Sequence, residues 1–150
     1  MNRASNVEED RPPMLLLDTH ALIWLMAGDA RLGKKAHWAI ESASLQDQVA
    51  ISAITPWEIG LLASKKRIEL HQDSLEWIRA ALARLGVNLV ALDPEIAVES
   101  TRLPFEMHPD PANRILVATA RHLGATLVTA DESLLRLAKK GHFRALDASK

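Results

Sequence analysis

The sequence predicts an α/β domain of three layers, with helices on both faces of a four- or five-stranded parallel sheet. Two patterns predict it. Short apolar runs, each closed by a polar or acidic residue, recur as buried parallel strands do. Between them lie helix-length segments, several with one apolar face, and strands alternating with helices give a parallel sheet covered on both sides. At 150 residues the chain holds one well-packed core and is too short for two comfortable ones.

In order, residues 1–13 are polar and charged and end in Arg11-Pro12-Pro13. They read as a disordered arm, or as residues upstream of a natural start at Met14. The domain proper spans 14–150. Its first strand is Met14-Leu15-Leu16-Leu17, with Asp18 at the carboxyl end. Thr19 to Met26 forms a short helix stopped near Gly28. Leu32, Ala36, Ile40 and Ala43 give residues 31–44 the spacing of an amphipathic helix. Val49-Ala50-Ile51 is a second strand. Thr55-Pro56-Trp57-Glu58 opens a helix through about Ser64, with Pro56 where helices tolerate it. Asp73-Ser74 opens another, ended by Gly86.

Val87 to Ala91 is the third strand. Asp93-Pro94 starts a helix that must end before Pro104. Asp110-Pro111 starts the next, which runs to Gly124. Thr126-Leu127-Val128-Thr129 is the fourth strand, and Asp131 leads into a helix ending in Lys139-Lys140-Gly141. Phe143 to Leu146 adds a fifth strand at an edge. Trp24, Trp38, Trp57 and Trp77 fall on apolar helix faces and read mostly as core, with one or two of them open to lining a groove for a partner helix or strand.

Composition narrows the function classes. A net charge of −1 carries no electrostatic signature of a nucleic-acid binder, although a basic groove can be masked by acids elsewhere. The absence of cysteine excludes disulfides and thiolate metal sites and fits a reducing compartment. No apolar segment approaches a membrane span, and the amino terminus lacks a signal-peptide core, so a cytoplasmic protein is expected. There is no G-x-x-x-x-G-K-[ST] loop, no G-x-G-x-x-G turn and no HExxH spacing among the six histidines.

What remains is acidic. Asp18, Glu58, Asp110 and Asp131 stand at strand ends or helix starts. Each has a structural explanation: Thr55 and Glu58 have the spacing of a capping box, and the aspartates precede helices as N-caps. As a set they point to one sheet edge, where ligands and metal ions bind in open α/β sheets. Several carboxylates together repel unless a hard divalent cation neutralises them, and Mg2+ prefers oxygen ligands. Such an ion activates water and polarises a phosphoryl oxygen, which is phosphodiester-cleaving chemistry. His20 reads as a local hydrogen-bonding residue. Lys65, Lys66, Arg67 and Arg114 are candidates for holding phosphates; for Lys65 and Lys66, helix-end charge complementing the dipole is an equal reading. Arg31, Lys34, Lys35, Lys139 and Lys140 read as solvated faces.

Leu17-Asp18-Thr19-His20-Ala21-Leu22-Ile23-Trp24 resembles the opening motif of PIN-domain ribonucleases of the VapC toxin type. Ile51 to Ile59 resembles their second motif, and Leu103-Pro104 with His108 to Ala120 their third. Leu127-Val128-Thr129-Ala130-Asp131 resembles the fourth. The resemblance implies a PIN-like fold and a toxin that cleaves RNA with Mg2+ or Mn2+, commonly dimeric and neutralised by a small cognate antitoxin. It implies acidic metal-site roles for Asp18, Glu58 and Asp131, with the Thr129 and Thr19 hydroxyls in support. The third motif departs from the pattern, with Asn113 where the family normally has aspartate before the arginine. An asparagine oxygen can coordinate a metal but brings no charge, so weaker metal affinity is expected, with Asp110 one turn earlier in partial compensation.

Two rivals follow. One is a catalytically inactive PIN-fold module that binds RNA or antitoxin. The other is a phosphatase with an aspartyl nucleophile, disfavoured because Asp18-Thr19-His20 lacks the second acid of a D-x-D pattern.

Overall fold

The computed structural model describes residues 13–150, so the expectation for the amino-terminal arm lies, Pro13 apart, outside the described residues. β1 (Leu15–Leu17) is followed by α1 (Thr19–Ala27) and α2 (Lys34–Ser44). β2 (Val49–Ser52) leads into α3 (Ile54–Ser64) and α4 (Ser74–Leu85). β3 (Asn88–Val90) precedes α5 (Pro94–Glu99) and α6 (Pro111–Leu123). β4 (Thr126–Thr129), α7 (Glu132–Lys139) and β5 (Arg144–Asp147) complete the order. The five strands form one parallel sheet in the order β3-β2-β1-β4-β5, so the predicted edge strand pairs with β4.

Alternation along the central strand builds the two layers around the sheet. Leu15 and Leu17 face one apolar cluster with Val49, Ile51 and Val128, covered by Leu22 of α1, Ile40 of α2 and Ile78 of α4. Leu16 faces the other with Ala50 and Leu127, covered by Leu116 and Val117 of α6 and Leu134 of α7. Leu16 and Leu17 are wholly inaccessible to solvent. Burying each is worth roughly 2 kcal/mol. That anchoring holds β1 in the centre of the sheet and carries Asp18, the next residue, inward with it.

The helix stops at Gly28, Gly86 and Gly124 are left-handed, at φ of 63°, 59° and 62°, as carboxyl-terminal caps require. Three expectations need correction. The second helix begins at Lys34 rather than residue 31, because Asp29 closes a turn over Arg31 and Leu32 instead. Trp38 and Trp57 are 70% and 56% exposed and are not core. Trp38 lies two positions from buried Ala36 and from buried Ile40, roughly 160–200° around the helix, and so faces out. Trp24 and Trp77 do pack against the first cluster. Finally, Thr55 is not a cap: the helix starts one residue earlier, and Thr55 lies in its first turn.

Gly33 carries a different constraint. Its backbone φ of −70° is ordinary, but a Cβ there would stand 2.1 Å from the backbone of Lys150. Only glycine lets the end of the described chain lie across the start of α2, where the Gly33 and Lys35 amides donate to Ala148 and Lys150 carbonyl oxygens at 2.8 and 3.0 Å.

Candidate active site

β1 and β4 are neighbours, and the chain leaves them toward opposite sides of the sheet, β1 to β2 and β4 to β5. This is the switch point at which open α/β sheets form a crevice at their carboxyl edge. Asp18 follows β1 there and Asp131 follows β4. The Asp18 amide donates to the Val128 carbonyl at 3.0 Å, which extends the β1–β4 pairing and seats the aspartate beside Thr129. Its carboxylate caps α1, accepting the Ala21 amide at 2.8 Å. Asp131 caps α7, accepting the Leu134 amide at 3.0 Å and the Ser133 hydroxyl at 2.6 Å. Thr129 in turn accepts the Asp131 amide at 3.1 Å.

The start of α3 delivers Glu58. The Ser52 hydroxyl accepts the Ile54 amide at 3.1 Å, taking a role the sequence suggested for Thr55. Pro56 sits in the first turn, where no amide is needed. Glu58 is therefore not held in a capping box and stands half-buried, one turn in. The capping reading holds for Asp110, whose carboxylate accepts the Asn113 amide at 3.2 Å and places Asn113 in the first turn of α6.

Asp18, Thr19, Glu58, Asp110, Asn113 and Asp131 line one cleft of about 340 Å3. The sequence separates its acids by up to 113 positions; the sheet brings them together. Burial pushes the Asp18 carboxyl above its ordinary value. The Thr129 hydroxyl, the Ala21 amide and His20 oppose the shift, and the Glu58 charge adds to it. Asp131, mostly exposed, goes the other way: burial raises it, but the Ser133 hydroxyl, the Leu134 and Ser133 amides and Arg136 together bring it below the ordinary range.

Two buried hydroxyls, Thr19 Oγ1 and Thr55 Oγ1, have no hydrogen-bond partner among the described residues. Thr19 is among the residues lining the cleft, although its hydroxyl oxygen is itself shut away from solvent. An anionic pocket of oxygen donors, with one carboxyl that resists ionisation, is the chemistry that suits a hard divalent cation and its waters. The fit is loose. Among the described residues no three of histidine, aspartate and glutamate converge closely enough to hold a metal. The physical reason is visible in the caps: Asp18, Asp110 and Asp131 each turn an oxygen to the following helix, and position 113 supplies an amide.

The candidate phosphate ligands do not gather at this cleft. Lys65, Lys66 and Arg67 are exposed at the far end of α3 and do not line it. Arg114 is half-buried and donates to the Ser100 carbonyl at 3.3 Å, tying α5 to α6. His20 is exposed at the cleft, its ring centroid 6.2 Å from that of Trp24, and makes no side-chain hydrogen bond among the described residues. Sequence reasoning missed Ser52, whose position two residues before the helix start was the available signal.

Comparison with known proteins follows the same lines. A family model described as the PIN domain matches residues 15–140. The ribonuclease VapC22 of Mycobacterium tuberculosis is 37% identical over 120 residues, which cover 80% of this chain and 88% of that protein. In fold, the chain is similar to VapBC2 from Rickettsia felis, solved bound to a DNA fragment from their promoter. That likeness has a TM-score of 0.65 at 14% identity, covering 89% of this chain and 97% of the other. A toxin–antitoxin complex from Klebsiella pneumoniae gives a TM-score of 0.61 at 24% identity, over 89% of this chain and 97% of its counterpart.

Proposed function

The chain belongs to the PIN-domain family, and from that premise we propose that it is a metal-dependent endoribonuclease of the VapC toxin type. The observation that carries the reading is the shared cleft: four carboxylates from four segments, with the Asn113 carboxamide beside Asp110, line one crevice at the carboxyl edge of the sheet. Asp18, Glu58 and Asp131, with Asn113 and Asp110 beside them, are the residues that would hold Mg2+ or Mn2+. Such an ion would supply positive charge to the phosphoryl oxygens and acidify a water for attack.

The chain's own residues do the positioning. The Thr129 hydroxyl beside Asp18 favours the ionised carboxylate, and Thr19 brings a buried hydroxyl with no partner among the described residues. Lys65, Lys66, Arg67 and Arg114 contribute positive potential toward the RNA backbone rather than contacts inside the cleft. The likeness to VapC22, and in fold to toxin–antitoxin complexes, supports a small cognate antitoxin as partner. A homodimer working in the cytoplasm completes the reading. No helix among the described residues is long and apolar enough to cross a membrane.

The test is cleavage of single-stranded and structured RNA in Mn2+ by the wild type, by Asp18→Asn and by Asn113→Asp. Cleavage that is lost in the first variant and raised in the second is expected. A second reading has its own observation: among the described residues no three acids converge at ligand spacing, and position 113 is neutral. On that reading the chain is a PIN-fold module that binds RNA or antitoxin without cutting. Wild type and Asn113→Asp that bind RNA and fail equally to cleave it would select this second reading.

A further inference from the structure

We propose that a second cleft, beside the acidic one, is an RNA-backbone subsite in which Arg136 and Lys140 hold successive phosphates of the strand leaving the site of cleavage. The proposal rests on the ribonuclease reading above.

The problem it answers is electrostatic. A cleft lined by Asp18, Glu58, Asp110 and Asp131 repels a polyanion, whereas affinity for RNA comes chiefly from cations that neutralise phosphates. The cations named from the sequence lie elsewhere. The structure places two others, Arg136 and Lys140, in an adjoining cleft. Asn113 lines that cleft and also a second one of about 200 Å3, so the two adjoin at this residue. His108, Ser133, Arg136 and Lys140 line the second cleft, with Glu106 as the carboxylate among them.

α7 connects the two. Its amino-terminal cap, Asp131, lines the acidic cleft, and its exposed Arg136 and its carboxyl-terminal cap, Lys140, line the second. Arg136 and Lys140 are four residues apart and share a helix face. At the rise of an α-helix they stand about 7 and about 13 Å beyond Asp131 along the axis. Neither is in an ion pair among the described residues, so both charges are available to a ligand. The junction residue is neutral. A strand that passes from one cleft to the other over Asn113 meets a carboxamide, which can donate to a phosphate oxygen, where a carboxylate would repel it. The imidazole of His108 and the hydroxyl of Ser133 offer further polar contacts, and Glu106 is the one repulsive group the strand must avoid.

The experiment is fluorescence anisotropy of a short fluorescein-labelled single-stranded RNA, titrated in EDTA over a range of KCl concentrations. Each phosphate contact with a single strand contributes about 0.7 to the slope of log K against log salt. Combining Arg136→Gln with Lys140→Gln is therefore expected to reduce the slope by about 1.4, and Lys140→Gln alone by about 0.7. Arg79→Gln with Arg84→Gln, on α4 across the sheet, makes the same change in net charge and is expected to leave the slope unchanged. In Mn2+ Lys140→Gln alone should raise KM and keep kcat.

An unaltered slope in Arg136→Gln/Lys140→Gln overturns the subsite, as does an equal loss in the Arg79/Arg84 pair. A double variant that loses affinity for poly-glutamate but not for RNA also overturns it, in favour of an acidic peptide. Because binding is read without cleavage, failure of the nuclease reading shows separately, as an absence of Mn2+-dependent turnover in every form.

Discussion

Replacing Asp18 with asparagine separates the two things this carboxylate does. It caps α1 through the Ala21 amide, and it brings a charge into a site where burial opposes ionisation. Asparagine caps about as well as aspartate, so the first contribution survives while the charge does not. The sign follows from linkage. The Asp18 carboxyl is raised in the folded state, so the folded protein binds more protons than the unfolded one above the ordinary value of 3.8. Wild-type stability therefore falls as pH climbs from 3.8 through the raised folded value, and stays lowered at neutral pH. Asp18→Asn lacks that loss. In EDTA at neutral pH it should be at least as stable as wild type, with a flatter stability–pH curve on the acid side of neutrality.

Asp18→Ala removes the charge and the cap together, and should fall below Asp18→Asn by about 1 kcal/mol, roughly 3 °C in Tm for a chain of this size. Mn2+ reverses the ranking. At about 100 times its Kd an ion bound only to the folded state stabilises by about 2.7 kcal/mol, a rise of roughly 5–10 °C. Wild type should show it and Asp18→Asn should not. Loss of several kcal/mol of charge stabilisation predicts a fall in RNA cleavage of at least about 10²-fold. The assay is thermal denaturation with and without Mn2+ across pH, alongside RNA cleavage. If Asp18→Asn kept the full Mn2+ shift, or melted below Asp18→Ala in EDTA, the account of this residue would be wrong.

Other substitutions probe neighbouring parts. Asn113→Asp adds a fifth carboxylate to the cleft, and should lower stability in EDTA at neutral pH while raising the Mn2+-induced Tm shift and the cleavage rate; denaturation and turnover in the same buffer read both. Thr55→Val removes a buried hydroxyl that has no partner among the described residues, and a gain of about 1 kcal/mol is expected by urea denaturation. Gly33→Ala drives a Cβ into the Lys150 backbone and should cost about 1–3 kcal/mol. Asp131→Asn has the opposite pH signature to Asp18→Asn. Because the Asp131 carboxyl is lowered, its contribution is present above the ordinary aspartate range and lost as pH falls through the folded value, so the variant should flatten the acid limb of the stability curve.

The linear order of elements was legible in the sequence because its signals act within a few residues. Leu15–Leu17 and Thr126–Thr129 announce buried strands by composition, aspartates at 18, 73, 93, 110 and 131 cap the helices that follow them, and glycines at 28, 86 and 124 end them. Errors arose where a one-residue shift or a facing direction decides the outcome. Ser52 rather than Thr55 meets the first amide of α3, which removes the capping box and leaves Glu58 outside it. Trp38 sits on a helix with a sound apolar face, and points away from it.

Sequence alone thus determined which segments become strands and helices, and that acids stand at their junctions, since propensity, capping and apolar runs are local. Tertiary structure decided which of those junctions meet. Only the order β3-β2-β1-β4-β5 sets β1 beside β4, joins Asp18 to Asp131 across residues far apart in the chain, and turns Arg114 inward to Ser100 while Arg136 and Lys140 face a cleft. That order comes from burying both faces of the sheet at once, a long-range balance that no short stretch of the chain encodes.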